Sequence, residues 1–286
     1  MSSPIFLRQI ALVAYDLPKS NDIITKGLNL EQVFHDPEVE EFGLHNTLWV
    51  LGGGVFLEVV APLPGRDINK VSGGRFLKAR KGDGGYMIIL QMKDATPTIK
   101  RMKEDMGIRV VWGTGGEGHG SAGDAGAHFH PKDTRGGNIL SISHHAKYGG
   151  DPVASPLADW PAGGPRDIWI PASKRADKIR LVGCSIQSDN PKELAAHWSQ
   201  MLNLPVSLDK GIPCIDFSNA RLKFVEGTDG RGEGICELDV AVEDVSAATK
   251  RAIGAGGRLQ GDRVEMVGMW FHFVPLTASV GVQAKL

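Results

Sequence analysis

One pattern recurs four times along the chain and sharply limits the folds open to it. An apolar run closes on an acidic residue, a helical stretch follows, a Gly or Asn ends it, and another apolar run begins. The four apolar runs are residues 9–16, 87–94, 182–189 and 237–244. Asp16, Asp94, Asp189 and Asp244 stand where a helix entry needs a side-chain acceptor for its unpaired amides. Gly27, Gly107, Asn203 and Gly256 tolerate the left-handed conformation that ends a helix. The spacing predicts helices near 20–25, 97–106, 191–202 and 246–255. In the third, Leu194, Ala195, Trp198, Met201 and Leu202 fall on one stripe, as packing on a sheet requires. After each helix come two further strands around a turn: 47–51 and 55–60, 127–130 and 138–143, 212–217 and 221–225, 264–267 and 270–274. The expected architecture is α+β, built from four βαβββ units.

A chain of 286 residues is too long for one small core. Pairing the units gives two domains, 1–146 and 178–286, joined by a Pro/Gly-rich linker over 147–177. Pro152, Pro156, Pro161, Pro165 and Pro171 mark that linker as a surface crossing, with Trp160, Trp169 and Ile170 docking part of it. The net charge of -1 and the lack of a basic tract argue against a nucleic-acid partner. No apolar run approaches the ~18 residues of a membrane span, and the N-terminus lacks a secretory pattern. Cys184, Cys214 and Cys236 are widely spaced and read as reduced thiols of a cytoplasmic protein. Residues 113–126 hold seven glycines; a strand rather than a helix follows, which favours a mobile loop or lid over a phosphate cradle.

Chemistry can be expected from few side chains. Glu58 is a carboxylate inside the apolar run Val55-Phe56-Leu57-Glu58-Val59-Val60-Ala61. If it faces inward it must be paired, cation-bound or raised in pKa, each of which suits a metal ligand or general base; the opposite alternation would put it in solvent. Gln9 is either a cleft residue or a hydrogen-bonded core amide. His128 and His130, two apart, share a strand face, and His130 before Pro131 could instead pin a turn. Tyr86 could donate to a substrate oxygen.

The run Leu57-Glu58-Val59-Val60-Ala61-Pro62 and the turn His130-Pro131-Lys132-Asp133-Thr134 with Gly136-Gly137, set in four βαβββ units, resemble the vicinal oxygen chelate superfamily. That group includes glyoxalase I, methylmalonyl-CoA epimerase, extradiol dioxygenases and bleomycin-resistance proteins. The resemblance implies two glyoxalase-like cupped-sheet domains and a divalent metal held by residues on the first and last strands of paired units. Counting back from the four acids gives Gln9, Met87, Val182 and Glu237. The last-strand positions fall on Glu58, Ser141, near Phe224 and near Phe271–Phe273. Met and Ser are poor ligands for hard ions, which leaves Gln9 and Glu58 as the metal candidates of the first domain, and Glu237 with His272 in the second. The facial triad of two-domain extradiol dioxygenases is not readable.

The resemblance therefore implies a glyoxalase- or epimerase-like lyase or isomerase acting on a small oxygenated metabolite in the N-terminal cup. Glu58 and His130 are the catalytic candidates; Gln9, Tyr86, His128 and Ser141 are the substrate contacts. A divalent ion is optional, no nucleotide cofactor is expected, and a homodimer fits the family. The second cleft is expected to be the more apolar one, structural or dimer-forming. The alternatives are a metal-free binding protein of the bleomycin-resistance kind and a divergent extradiol-type dioxygenase.

Overall fold

The computed structural model describes residues 4–114, 124–145 and 158–276. The first half runs β1 (Ile5–Val13), α1 (Leu17–Leu28), β2 (Gln32–Phe34), β3 (Leu44–Leu51), β4 (Val55–Pro62), α2 (Ser72–Ala79), β5 (Gly84–Met92), α3 (Thr96–Lys100), β6 (Val110–Thr114), β7 (Ala125–Phe129), α4 (Pro131–Thr134) and β8 (Ile139–His144). Then come α5 (Arg166–Arg175), β9 (Ile179–Ser188), α6 (Pro191–Leu202), β10 (Ser207–Asp209), β11 (Ile212–Asp216), β12 (Arg221–Glu226), β13 (Gly234–Val242), α7 (Val245–Gly254), β14 (Arg258–Gln260), β15 (Arg263–Met266) and β16 (Met269–Pro275). They form two eight-stranded sheets of equivalent order, β2-β3-β4-β1-β5-β8-β7-β6 and β10-β11-β12-β9-β13-β16-β15-β14. In each, two βαβββ units meet through an antiparallel central pair, β1 with β5 and β9 with β13. This is the two-domain glyoxalase-like fold.

The caps follow the expected chemistry with local shifts. Asp16 and Asp244 cap α1 and α7 by accepting from the amides of Lys19 and Ala247, both at 2.9 Å. Asn190, not Asp189, caps α6, and Asp94 serves the amide of Thr96 from outside α3. Gly27 does not end α1; Asn29 does, at φ 54°. Gly27 lies inside the helix, where a Cβ would stand 2.8 Å from Met266 Sδ and 3.5 Å from the Ala252 Cα. Its bareness brings α1 against the second domain.

One hydrophobic core runs through the helical faces of both sheets; it includes Ile10, Leu12, Ile24 and Leu57 from the first half and Ile186, Trp198, Phe224 and Phe271 from the second. A second apolar cluster fills the concave face of the first sheet alone: Ala11, Phe56, Val60, Met87, Ile89, Trp160, Trp169 and Ala172 belong to it. The segment expected as a surface linker is therefore, from residue 158 onward, an inserted plug with its own helix, α5. Residues 146–157 and the centre of the glycine-rich loop, including His119, lie outside the described residues.

The two halves hold one another by exchanged contacts. Asn219, in the β11–β12 turn, accepts from the Leu7 amide at 2.8 Å and donates to the Leu7 carbonyl at 3.0 Å. Gly52, in the β3–β4 turn, donates to the Ile179 carbonyl at 2.9 Å. Gly137 before β8 lies on the Glu233 carbonyl, and Gly268 before β16 lies on that of Asp83; any Cβ would collide, and both glycines have positive φ, 60° and 68°. Gly268→Ala should cost about 2–3 kcal/mol in urea denaturation. Gly261→Ala, at φ 62° with open space around it, should cost only about 1 kcal/mol. Equal losses would rule out the close domain approach as the cause.

Candidate functional site

Both concave faces carry polar groups, and they differ in kind. On the first, Glu58 of β4 is 5% exposed, and each carboxylate oxygen accepts one amide N–H. Gln9 Nε2 donates to Oε2 at 2.8 Å and Asn46 Nδ2 to Oε1 at 2.6 Å. The amide orientations are fixed from behind. The Trp160 indole, which can only donate, gives its N–H to Gln9 Oε1 at 2.8 Å, and the Asp36 backbone N–H goes to Asn46 Oδ1 at 2.8 Å. Gln9 thus turns nitrogen, not oxygen, towards Glu58, the reverse of what a shared cation needs. Burial lifts the Glu58 carboxyl to about 7, against the lowering effect of the two amide bonds.

Above Gln9 the face is closed by the chain itself. A β-bulge at Arg8 releases its fully buried side chain to Gln91 Oε1 at 2.7 Å and to the carbonyls of Gly54 at 2.5 Å and Ala158 at 3.2 Å. Burial lowers its pKa to about 9, partly offset by Asp159. Trp169 packs edge-on against Phe56 with centroids 5.4 Å apart. Tyr86, turned inward by a second bulge, donates to Ser72 Oγ at 3.0 Å, and burial pushes its hydroxyl up to about 12.

The remaining first-domain candidates are not gathered around Glu58. His128 pairs across from Ser141, but β7 is four strand positions from β4, ~19 Å along the sheet. His128 stacks on Trp112 with centroids 4.5 Å apart, and burial pulls it down to about 4, a neutral ring. His130 Nδ1 accepts from the Lys132 amide at 3.2 Å, the turn-pinning role.

The second concave face reverses the expectation of an apolar, structural cleft. A cavity of about 560 Å³ opens on it, with Ser185, Gln187, Lys223, Glu237, Arg263 and Trp270 among its lining residues. The Lys223 ammonium lies 3.3 Å from Glu237 Oε1 and 2.9 Å from Asp239 Oδ2. Arg263 Nη1 is 2.9 Å from the other Glu237 oxygen, and His272 Nδ1 is 3.0 Å from Asp239 Oδ1. Burial pushes the Asp239 carboxyl up, but His272 and Lys223 outweigh it and hold the group below its usual value. The bond to Asp239 raises His272 against burial. Arg258 and Arg263 both lie over the Trp270 ring, 5.1 and 5.2 Å from its centroid. Ser185 Oγ, on a residue 1% exposed, has no hydrogen-bond partner among the described residues. Burial pushes the Cys236 thiol up to about 12, so it is no nucleophile.

Alternation explains what the sequence count missed. The strand pairing Ser185↔Glu237, Gly183↔Asp239 then Leu181↔Val240 leaves Val182 as a bulge, so Gly183 takes the inward place. A Cβ there would press on Asp239 Oδ2. Lys223 rather than Phe224 faces the cup, since Phe224 packs on Trp198 of α6. Glu237 and His272 were legible as candidates; Lys223, Asp239 and Arg263 were not, although Arg221-Leu222-Lys223-Phe224 and Glu237-Leu238-Asp239-Val240 alternate charged with apolar residues.

A family model described as a glyoxalase-like domain matches residues 184–272, a span that holds Lys223, Glu237, Asp239 and His272. No curated protein matches the chain. Among solved structures, a mutant of 4-hydroxymandelate synthase from Streptomyces coelicolor overlays with a TM-score of 0.63 at 15% identity, over 91% of this chain and 78% of that one. A hypothetical protein from Staphylococcus aureus gives 0.59 at 9% identity, over 95% and 100%. Methylmalonyl-CoA epimerase from Mycobacterium tuberculosis gives 0.39 at 21% identity, over 49% and 87%. At these identities the first two overlays speak for the fold alone, and with the sheet order and the match of residues 184–272 to a glyoxalase-like domain they lead to one conclusion: the chain has a two-domain glyoxalase-like fold.

Proposed function

We propose that this protein is a glyoxalase-like lyase or isomerase that moves a proton on a small, anionic, oxygenated metabolite held in the second concave face. One observation carries the reading: an ammonium at the cavity wall, Lys223, bridges two carboxylates, one of which is paired with His272 behind it. Arg258 and Arg263, flanking Trp270, suit a substrate carboxylate. The unpaired Ser185 hydroxyl is free to bond a substrate oxygen. Lys223 would stabilise the oxyanion that develops when a proton leaves the adjacent carbon, and His272, oriented by Asp239, would carry that proton.

In the superfamily that this chain resembles, a divalent ion does the charge work. Glu237, Asp239 and His272 offer donor atoms within 4.8 Å of one another, the right chemistry for such an ion. Lys223 and Arg263 already balance the two carboxylates, however, so no step is assigned to a metal. Removing the ammonium should expose the latent site. Lys223→Met is expected to bind one Mn²⁺ or Zn²⁺ per chain by calorimetry, at least ~10-fold tighter than wild type. Equal metal binding by both proteins would mean that Lys223 does not stand in for the ion.

Catalysis is tested by proton exchange in D₂O, followed by NMR over a panel of 2-oxo acids, 2-hydroxy acids and acyl thioesters. Asp239→Asn should slow exchange about 100-fold. An unchanged rate removes the Asp239–His272 pair from the mechanism. Binding without exchange across the panel would leave a sequestering protein.

Glu58 supports a second reading, a general base in the first concave face, reached when the plug withdraws. Gln9 orients it, and Tyr86, whose hydroxyl feels the Glu58 charge, would then line the approach. Its carboxyl, lifted to about 7, holds a proton in the folded state over a range where the unfolded chain has released it. That contribution to stability is complete below pH ~4.5 and is lost as pH rises through ~7. Wild type should lose roughly 2.5 kcal/mol of unfolding free energy between pH 5 and pH 8, and Glu58→Gln should lack this slope. A wild-type slope that persists in the variant would sink the raised pKa, and the base with it.

A further inference from the structure

Where the two domains meet, a cleft of about 450 Å³ gathers five cationic side chains, Arg75, Arg80, Lys132, Arg135 and Arg231, against one carboxylate, Glu233. The whole chain has a net charge of -1, so this local excess is not a background property of the surface. Two of the arginines serve the domain seam. Arg80 Nη1 donates to the carbonyls of Gly232 and Glu233, both at 2.6 Å, and Arg231 Nε donates to the Arg80 carbonyl at 2.7 Å. Carbonyls fix a guanidinium but leave its charge uncancelled. Burial and the like charge of Arg231 together lower the Arg80 pKa, and Arg80 Nε, on a residue 5% exposed, has no acceptor among the described residues.

The one acid is already committed. Glu233 accepts from the Gly136 amide at 2.9 Å and from Ser188 Oγ at 2.7 Å. Arg135 reaches Glu193 at 2.6 Å and Glu233 at 3.8 Å. Arg75 and Lys132 have no ion-pair partner among the described residues, and both are exposed. A rigid seam thus holds several positive charges that the protein does not neutralise, around a volume suited to a small molecule.

We infer that this cleft is a second ligand site, distinct from both concave faces, which binds a small phosphate-bearing anion across the domain seam. Guanidinium forks match phosphate oxygens in pairs, and a dense anion best answers several cations in so small a space. The side of Phe76 facing the cleft would let an organic group accompany the phosphate.

The test is calorimetric titration of the full chain with inorganic phosphate, pyrophosphate and ADP at low salt. Pyrophosphate should bind one per chain, and the double variant Arg75→Glu with Lys132→Glu should weaken it at least ~30-fold. These exposed side chains make no hydrogen bond or ion pair among the described residues, so folding should persist, checked by an unchanged thermal midpoint without ligand. Lys103→Glu, outside the cleft, should change affinity less than ~2-fold. Tighter binding of ADP than of pyrophosphate identifies an organic phosphate as the ligand; equal binding identifies the phosphate groups alone. No saturable binding by wild type, or the same loss in Lys103→Glu as in the double variant, overturns the site.

Discussion

Everything functional in this molecule depends on which concave face its own chain occupies. The sheets have equivalent order, yet Trp160 and Trp169 enter one and leave the other free. Arg8 makes that seat specific. Its guanidinium ties β1 to Gln91, to the β3–β4 turn at Gly54 and to Ala158, so an apolar plug is held by a buried cation with satisfied donors. At ~150–250 Å² per tryptophan and ~25 cal/mol per Å², withdrawing the pair costs several kcal/mol before any ligand contact forms. The first face is a filled core with one isolated carboxyl in it.

The second face has no such filling among the described residues, and its polarity follows. Lys223, Glu237, Asp239, Arg263 and His272 would be costly in a dry core. Here their charges cancel in pairs at an open cavity, where removing one member leaves its neighbour uncompensated. Gly183 is the backbone condition for this arrangement, because only a bare Cα lets Asp239 lie flat against β9. Under the proposed function, the charge work in this cup falls to an amine built into β12. An amine cannot orient a substrate by coordination, so orientation falls to Arg258, Arg263 and Ser185.

The fold was legible because it rests on repetition. Four acids at helix entries and four Gly or Asn turns state the βαβββ unit independently of tertiary contacts. The site was less so. Counting seven residues back from an acid assumes an unbroken strand, and bulges at Arg8, Tyr86 and Val182 shift side chains from one face to the other. Glu58 stood out as a lone carboxylate in an apolar run, and it is buried. Its isolation could not be read, because Trp160 arrives from 151 residues beyond Gln9 in sequence. Lys223 was missed for the opposite reason: a charged residue alternating with apolar ones reads as solvent-facing, and only the curl of the sheet makes that face a cleft.

The seam decides how the first face could ever open. Gly137 and Gly268 bring each domain's turn onto the other's backbone, and Asn219 and Gly52 repeat the exchange at the far ends of the central strands. Contacts at both ends of both central strands resist rotation of one domain against the other, since relieving one pair compresses its counterpart. Opening by domain hinge is therefore the costly route. The plug can move alone: besides its tryptophans, it is tied to the sheet by hydrogen bonds to Arg8, Gln9 and Gln91 and by those of Ser173 to Leu51 and Gly54, and its release leaves both sheets intact. Whatever reaches Glu58 must displace Trp160, and the Gln9 amide that Trp160 orients is then free to turn its oxygen towards the carboxyl. The same movement that admits a ligand would change Glu58 from a group receiving two N–H donors to one facing an acceptor, which favours its protonated form.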